Sequence, residues 1–282
     1  MLTGKIVHGG DMSLNGAVGP GSGPPLFLLH GVTRRWQDFL TFLPALTLRW
    51  QVFALDFCGH GGSNRRPGNY RVIDYARDFM TFLGPQDSKP VVIYGHSLGA
   101  LVAAAVAAQL PGSVRALILE DPPTPSLMRN LRATPFYAFF SGMQPLAGSK
   151  RPIPEIAQAL AELRVPGNGG DVRLGDLRDA TALRFSARCL ADLDAEVLTP
   201  LLEDRWLDGY DVTQVFGGVT CPVLLLRADD HCGGMLLRRD AEVLAKDMQD
   251  CTLIDLPGTG HLLHWLATDT VLRLTVGFLE SL

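Results

Sequence analysis

Cysteine is scarce in this 282-residue sequence and scattered along it. Cys58, Cys189, Cys221, Cys232 and Cys251 are odd in number and show no C-x-x-C spacing, which argues against a disulfide framework and against a structural zinc site. Long apolar runs are missing as well. The longest, 98–108, is too short to cross a bilayer, and residues 1–10 lack the charged-then-apolar pattern of a secretory leader, so a membrane is not an expected partner. Neither sign of charge dominates, and a net charge of −4 gives no reason to expect nucleic acid as a partner. No internal repeat is present. The glycine-rich stretch 19–23 has no lysine placed like that of a phosphate loop and reads as a flexible turn. What remains is an ordinary globular composition, 47% apolar and 19% charged, in a chain long enough to bury one substantial core. The expectation is a reduced, cytoplasmic protein.

Strand patterns alternate with helical ones. Apolar strands are expected at 26–29, 51–55, 91–94, 115–120, 223–226 and 252–254, and helices at 36–46, 72–83, 98–108, 235–248 and 263–279. Continuous apolar strands separated by helices predict an α/β protein with a mostly parallel sheet covered by helices on both faces. Between 122 and 219 the alternation stops. Prolines 122, 123, 125, 135, 145, 152, 154 and 166 and the glycine-rich 167–170 punctuate helical patterns at 155–163 and 177–193, and no strand pattern stands out. The expected division is a core of residues 1–121 and 220–282 with an inserted helical segment at 122–219.

The most informative motif is Gly95-His96-Ser97-Leu98-Gly99, which follows an apolar strand and opens an alanine-rich helix. In that setting G-x-S-x-G is a nucleophile elbow, because small flanking residues let strand and helix backbones pass closely while the serine hydroxyl projects into a cleft. The helix aims free N–H groups at the same point. A neutral hydroxyl attacks a carbonyl at neutral pH only if a histidine takes its proton and an anion orients that histidine.

Four segments in register resemble the α/β-hydrolase family over nearly the whole chain. They are the strand 26–29 ending in His30-Gly31-Val32, the strand 52–55 followed by Asp56-Phe57-Cys58-Gly59-His60-Gly61-Gly62-Ser63, the elbow, and Pro257-Gly258-Thr259-Gly260-His261. The resemblance implies an α/β-hydrolase fold with 122–219 as a helical cap over the nucleophile. It further implies Ser97 as nucleophile, His261 as general base, structural roles for His30 and His60, and an oxyanion hole from the backbone N–H groups of Val32 and Leu98. His264, three residues beyond His261, is a candidate pocket wall.

The position of the acid is ambiguous in the sequence. Most of the family carries it after the strand represented by 223–226, but there Asp229 and Asp230 fall slightly early and His231 occupies the expected place. Some relatives, among them certain haloalkane dehalogenases and lactone hydrolases, carry it after the preceding strand, which Glu120 matches. Glu120 is favoured over the Asp229/Asp230 pair, and Asp121, followed by two prolines, reads as a turn-starting aspartate. The cluster Asp229, Asp230, His231 and Cys232 is rejected as a metal site because adjacent residues rarely converge on one ion. Serine rather than aspartate at 97 argues against a dehalogenase or epoxide hydrolase. The expected activity is hydrolysis of a small carboxylic ester or lactone, with no cofactor. Carbon–carbon, amide or perhydrolase chemistry on the same triad, or a receptor of the same fold, stand as alternatives, and a homodimer is left open. Aromatics at 136, 137, 139 and 140, with no positive charge among them, predict a pocket for an uncharged acyl group.

Overall fold

The computed structural model describes residues 4–10, 12–19, 23–84, 89–167 and 170–282. Ten strands are described: β1 Lys5–Gly9, β2 Met12–Val18, β3 Pro25–Leu29, β4 Gln51–Leu55, β5 Val91–His96, β6 Val114–Glu120, β7 Arg164–Gly167, β8 Gly170–Arg173, β9 Val223–Ala228 and β10 Cys251–Leu256. Eight of them form one sheet in the order β1-β2-β4-β3-β5-β6-β9-β10. The pairs β1/β2 and β2/β4 are antiparallel, and the pairs from β4 through β10 are parallel.

The parallel strands lie in the middle of the molecule because both of their faces are apolar. Ile93, Leu117, Leu119 and Leu225 face one core cluster, and Val92, Ala116, Ile118, Leu224 and Leu226 face the other. Helix α1, Val72–Leu83, packs on the first face through Val72, Tyr75, Ala76, Phe79 and Phe82, a spacing of three and four residues that puts one stripe inward. Helix α2, Leu98–Gln109, has no polar stripe, since ten of its twelve residues are buried between α1 and the sheet. Helix α7, Thr268–Glu280, covers the second face together with the segment containing Trp36, Phe39 and Phe42. The helix expected at 36–46 is split into a 3-10 turn, Trp36–Phe39, and a single turn, Leu43–Leu46. Pro44 explains the break, because it has no N–H to continue the ladder.

Between β6 and β9 lie α3 Pro135–Met143, α4 Ile153–Glu162, the hairpin β7/β8 and α5 Ala180–Ala191; α6, Arg238–Asp247, follows β9. The hairpin was not evident from the sequence, where Pro166 and the glycines mask a four-residue strand. The antiparallel β1 and β2 were likewise unmarked. Positions 20–22 of the expected flexible turn and 168–169 of the glycine-rich stretch lie outside the described residues. All five cysteines are free, and no described helix is long and apolar enough to cross a membrane.

The contact between β3, β5 and α2 sets the elbow, and it tolerates no side chain. A Cβ on Gly99 would lie 2.1 Å from the Leu29 carbonyl oxygen, and one on Gly95 would lie 2.2 Å from that of Gly99. Gly99→Ala should therefore cost about 3 kcal/mol or prevent soluble expression. Gly277, whose Cβ would meet nothing within 4 Å on α7, should as alanine stabilise by about 0.5–1 kcal/mol. Thermal melts of the two variants check this, and a Gly99→Ala protein melting like the parent would contradict the packing argument.

Candidate active site

Strands β5 and β6 end side by side, His96 pairing with Glu120, so the next residue of each strand emerges at the same edge of the sheet. Those residues are Ser97, at φ 55°, and Asp121, at φ 44°. Two non-glycine residues in the left-handed region, one on each of two adjacent strands, are unusual and concentrate strain where the chains leave the sheet. Ser97 is buried, its N–H donates to the Glu120 carbonyl at 2.9 Å, and its own carbonyl accepts from Ala100 and Leu101 of α2. The Leu98 N–H, at the first position of α2, has no acceptor among the described residues, nor has that of Val32 in the loop after β3. That loop runs against the elbow: a Cβ on Gly31 would lie 2.7 Å from His96 Nδ1 and 3.1 Å from Ser97 Cβ.

His261 follows β10, and its Nδ1 lies 2.6 Å from Asp121 Oδ2. Asp121 is fully buried and accepts three backbone bonds besides, from Met235 at 2.8 Å, Ala228 at 3.0 Å and Leu236 at 3.2 Å. The carboxylate facing His261 is thus Asp121, not Glu120. Glu120 ends β6 with its side chain on the opposite face, where it accepts from Tyr94 Oη and from His264, whose Nδ1 lies 2.8 Å from Oε1. Period-two alternation accounts for the difference. Glu120 shares the face of Ala116 and Ile118, whereas Asp121 follows the turn out of the sheet. The signal that could have found it is register: Asp121 stands to β6 as Ser97 stands to β5.

Neither Asp229 nor Asp230 reaches His261. Asp229 accepts from the backbone of His231 and Gly258, and Asp230 pairs with Arg227 at 3.0 Å. With His231 they do bring one ligand-type atom each within 4.8 Å of one another, but both carboxylates are already engaged. A second such trio is His96, Glu120 and His264. Burial disfavours the charged form of His264, but Glu120 and Asp38 outweigh it and raise the ring to about 9, so it is held protonated and is no metal ligand. His264 is not a pocket wall: it is fully buried, its ring 4.9 Å from that of His96 and its Nε2 3.2 Å from Asp38 Oδ2. Asp38 also binds Arg34, and although burial opposes its ionisation, these two cations hold it well below the usual carboxylate range.

The remaining motif histidines brace the backbone. His30 donates from Nδ1 to the Gly31 carbonyl at 2.8 Å and accepts at Nε2 from the Phe57 N–H, which ties the loop after β3 to that after β4. Burial lowers it to about 4, and lowers neighbouring His60 to about 3, so both are neutral. Asp56 accepts from Asn15, Gly62 and the Trp36 N–H, holding the turn after β4.

Ser97 and His261 line one cavity of about 380 Å³, together with Val32 and with Phe136, Phe139, Phe140 and Met143 of α3. The hairpin contributes Val165, Pro166 and Gly167. The wall is not wholly apolar, for Arg34 and Arg178 belong to it.

A family model for the alpha/beta hydrolase fold matches residues 24–157. An uncharacterised protein of Mycobacterium bovis is 38% identical over 115 residues, 41% of this chain, and the match spans 33% of that relative's length. The 2-(acetamidomethylene)succinate hydrolase of Mesorhizobium japonicum is 25% identical over 93% of this chain and 90% of its own. The enol-lactonase from Burkholderia xenovorans has the same fold, with a TM-score of 0.74 at 16% identity, over 98% of this chain and 100% of that one. With the sheet order, the elbow and the family model in agreement, this chain has the alpha/beta hydrolase fold.

Proposed function

We propose that the protein is a serine hydrolase that cleaves a carboxylic ester or lactone through an acyl-enzyme. The observation that carries this reading is the meeting of a strained Ser97 and an Asp121-bound His261 on one cavity. In it His261 accepts the Ser97 proton as Oγ bonds to the carbonyl carbon, and the N–H groups of Val32 and Leu98 receive the developing oxyanion. The protonated His261, held by Asp121 through Nδ1–H, then gives its proton to the leaving alkoxide. Water, deprotonated by the same ring, releases the acid and restores Ser97. Asp121 takes the role that the sequence offered to Glu120. An amide is the second bond that this arrangement could open, a reading favoured by the acetamido compound named for the Mesorhizobium relative.

A fluorophosphonate should label Ser97 and nothing else, and Ser97→Ala should fold yet lose nearly all turnover of a p-nitrophenyl ester. Intact-protein and peptide mass spectrometry read the label; a second labelled serine, or an active alanine variant, would remove the nucleophile assignment. Asp121→Asn should lower kcat by up to about 10⁴-fold, because an amide cannot stabilise the imidazolium. Asp229→Asn and Asp230→Asn should each cost roughly tenfold or less, consistent with charges in partly exposed positions. Steady-state rates on variants shown to be folded by circular dichroism give the ranking, and an inactive Asp229 or Asp230 variant beside an active Asp121→Asn would reverse the assignment.

The Glu120–His264–Asp38 set predicts a pH effect on stability rather than on chemistry. His264 binds its proton more tightly folded than unfolded, so its stabilisation is full below about pH 6.5 and is lost as pH rises through about 9. A raise of that size corresponds to on the order of 3 kcal/mol. Urea unfolding between pH 6 and 9.5 should show the decline, and Glu120→Gln should lower stability at pH 6 and flatten the slope. A parent protein with constant stability over that range would contradict the ion-pair reading.

A further inference from the structure

The cavity departs from the uncharged pocket that the aromatics of α3 suggest. Arg34 and Arg178 both stand in its wall, and their situations differ. Arg34 is fully engaged: it binds Asp38, donates to Ser186 Oγ at 3.0 Å, and lies over the rings of Phe185 and Trp265 at 5.1 and 4.6 Å. Arg178 makes no side-chain hydrogen bond or ion pair among the described residues. Its neighbour Asp179 is occupied in capping α5, accepting from the Ala182 N–H at 2.8 Å. Burial, then the positive charge of Arg34, push Arg178 down to about 10, which is the direction expected of a cation that lacks its counter-charge.

The two guanidinium groups in this wall are matched unequally: Arg34 is paired with Asp38, whereas Asp179, the acidic neighbour of Arg178, makes no ion pair with it among the described residues. The small void that also borders Ser97 offers an anion no cation, since its lining, which includes Leu127, Met128, Leu131 and Leu201, holds no charged side chain. An unpaired, partly buried guanidinium facing a ligand-sized space has a planar fork that matches a carboxylate through two parallel N–H bonds.

We propose that Arg178 recognises a free carboxylate on the substrate, so that the natural substrates are acidic esters or lactones, carrying a carboxylate beside the bond that is cleaved. The proposal rests on the serine-hydrolase reading above. In it the guanidinium fixes the anionic end of the substrate in the chamber under α3 and α5 while the reacting carbonyl sits at Ser97.

Two measurements test it independently of each other. In the first, kcat/KM is compared for methyl butanoate, pentanoate and hexanoate against monomethyl succinate, glutarate and adipate, pairs that differ only by carboxylate for terminal methyl. At least one acidic member should exceed its neutral partner by about tenfold or more, and Arg178→Gln should collapse that ratio while Arg178→Lys keeps part of it. In the second, calorimetry on the Ser97→Ala protein measures binding of succinate, glutarate and adipate. One of them should bind, about tenfold more weakly or not at all when Arg178→Gln is added, with melting temperature as the check on folding. If neither ester series is turned over while a dicarboxylate binds through Arg178, the serine-hydrolase reading fails and the anion site stands. Neutral esters preferred throughout, no dicarboxylate bound, or binding indifferent to Arg178→Gln and Arg178→Lys would each overturn the proposal.

Discussion

The Asp121 carboxylate is the point on which this site hangs. An ionised group with no access to water is tolerable only when its oxygens are saturated with donors, and Asp121 has the N–H groups of Ala228, Met235 and Leu236 as well as His261. Those donors come from the end of β9 and the loop beyond it, and His261 comes from the loop after β10. Three neighbouring strand ends, β6, β9 and β10, are therefore gathered on one side chain, and β5 delivers Ser97 beside it. The order of strands in the sheet does the assembling. Residues separated by more than a hundred positions meet because their strands are neighbours, and ligands in open parallel sheets sit at this carboxyl edge.

Adjacent residues Glu120 and Asp121 show how finely the sheet edge partitions charge. One step along the chain moves a carboxylate from the face carrying Tyr94, Phe39 and His264 to the rim that faces His261. Below the rim, Glu120, His264, Asp38 and Arg34 form a buried chain of alternating sign. Such chains give little net stability compared with well-packed apolar residues, but breaking one partner strands the next. Here the chain also delivers the Arg34 guanidinium to the cavity in a fixed orientation.

Much of this was legible in the sequence, and the reasons for the rest are physical. The buried strands β3, β5, β6 and β9 announced themselves as continuous apolar runs, and α1 fell at the residues its amphipathic spacing marks. The antiparallel strands β1 and β2 did not, because they alternate weakly and contain glycine and polar residues. The four motifs located Ser97 and the histidine that lines its cavity. They misdirected the carboxylate, since a motif counts residues along the chain while the decisive variable was the face on which a strand's last side chain points. Arg178 was invisible for another reason. Nothing in its sequence neighbourhood distinguishes it from other surface arginines, and only the folded course of the chain, which sets it in the turn before α5, puts it in the cavity wall.

Arg34 has one further consequence. It belongs to the core, but the groups that stack on it and bond it include Phe185 and Ser186 of α5, together with Trp265 from the other end of the chain. The seat of the segment between β6 and β9 and the wall of the cavity therefore share one guanidinium. Any molecule that binds better when α5 rests on Arg34 must, by reciprocity, strengthen that resting position by the same free energy. The segment between β6 and β9 is then more than a wall of the cavity: for such a molecule, its seating and the molecule's affinity are two readings of one free energy.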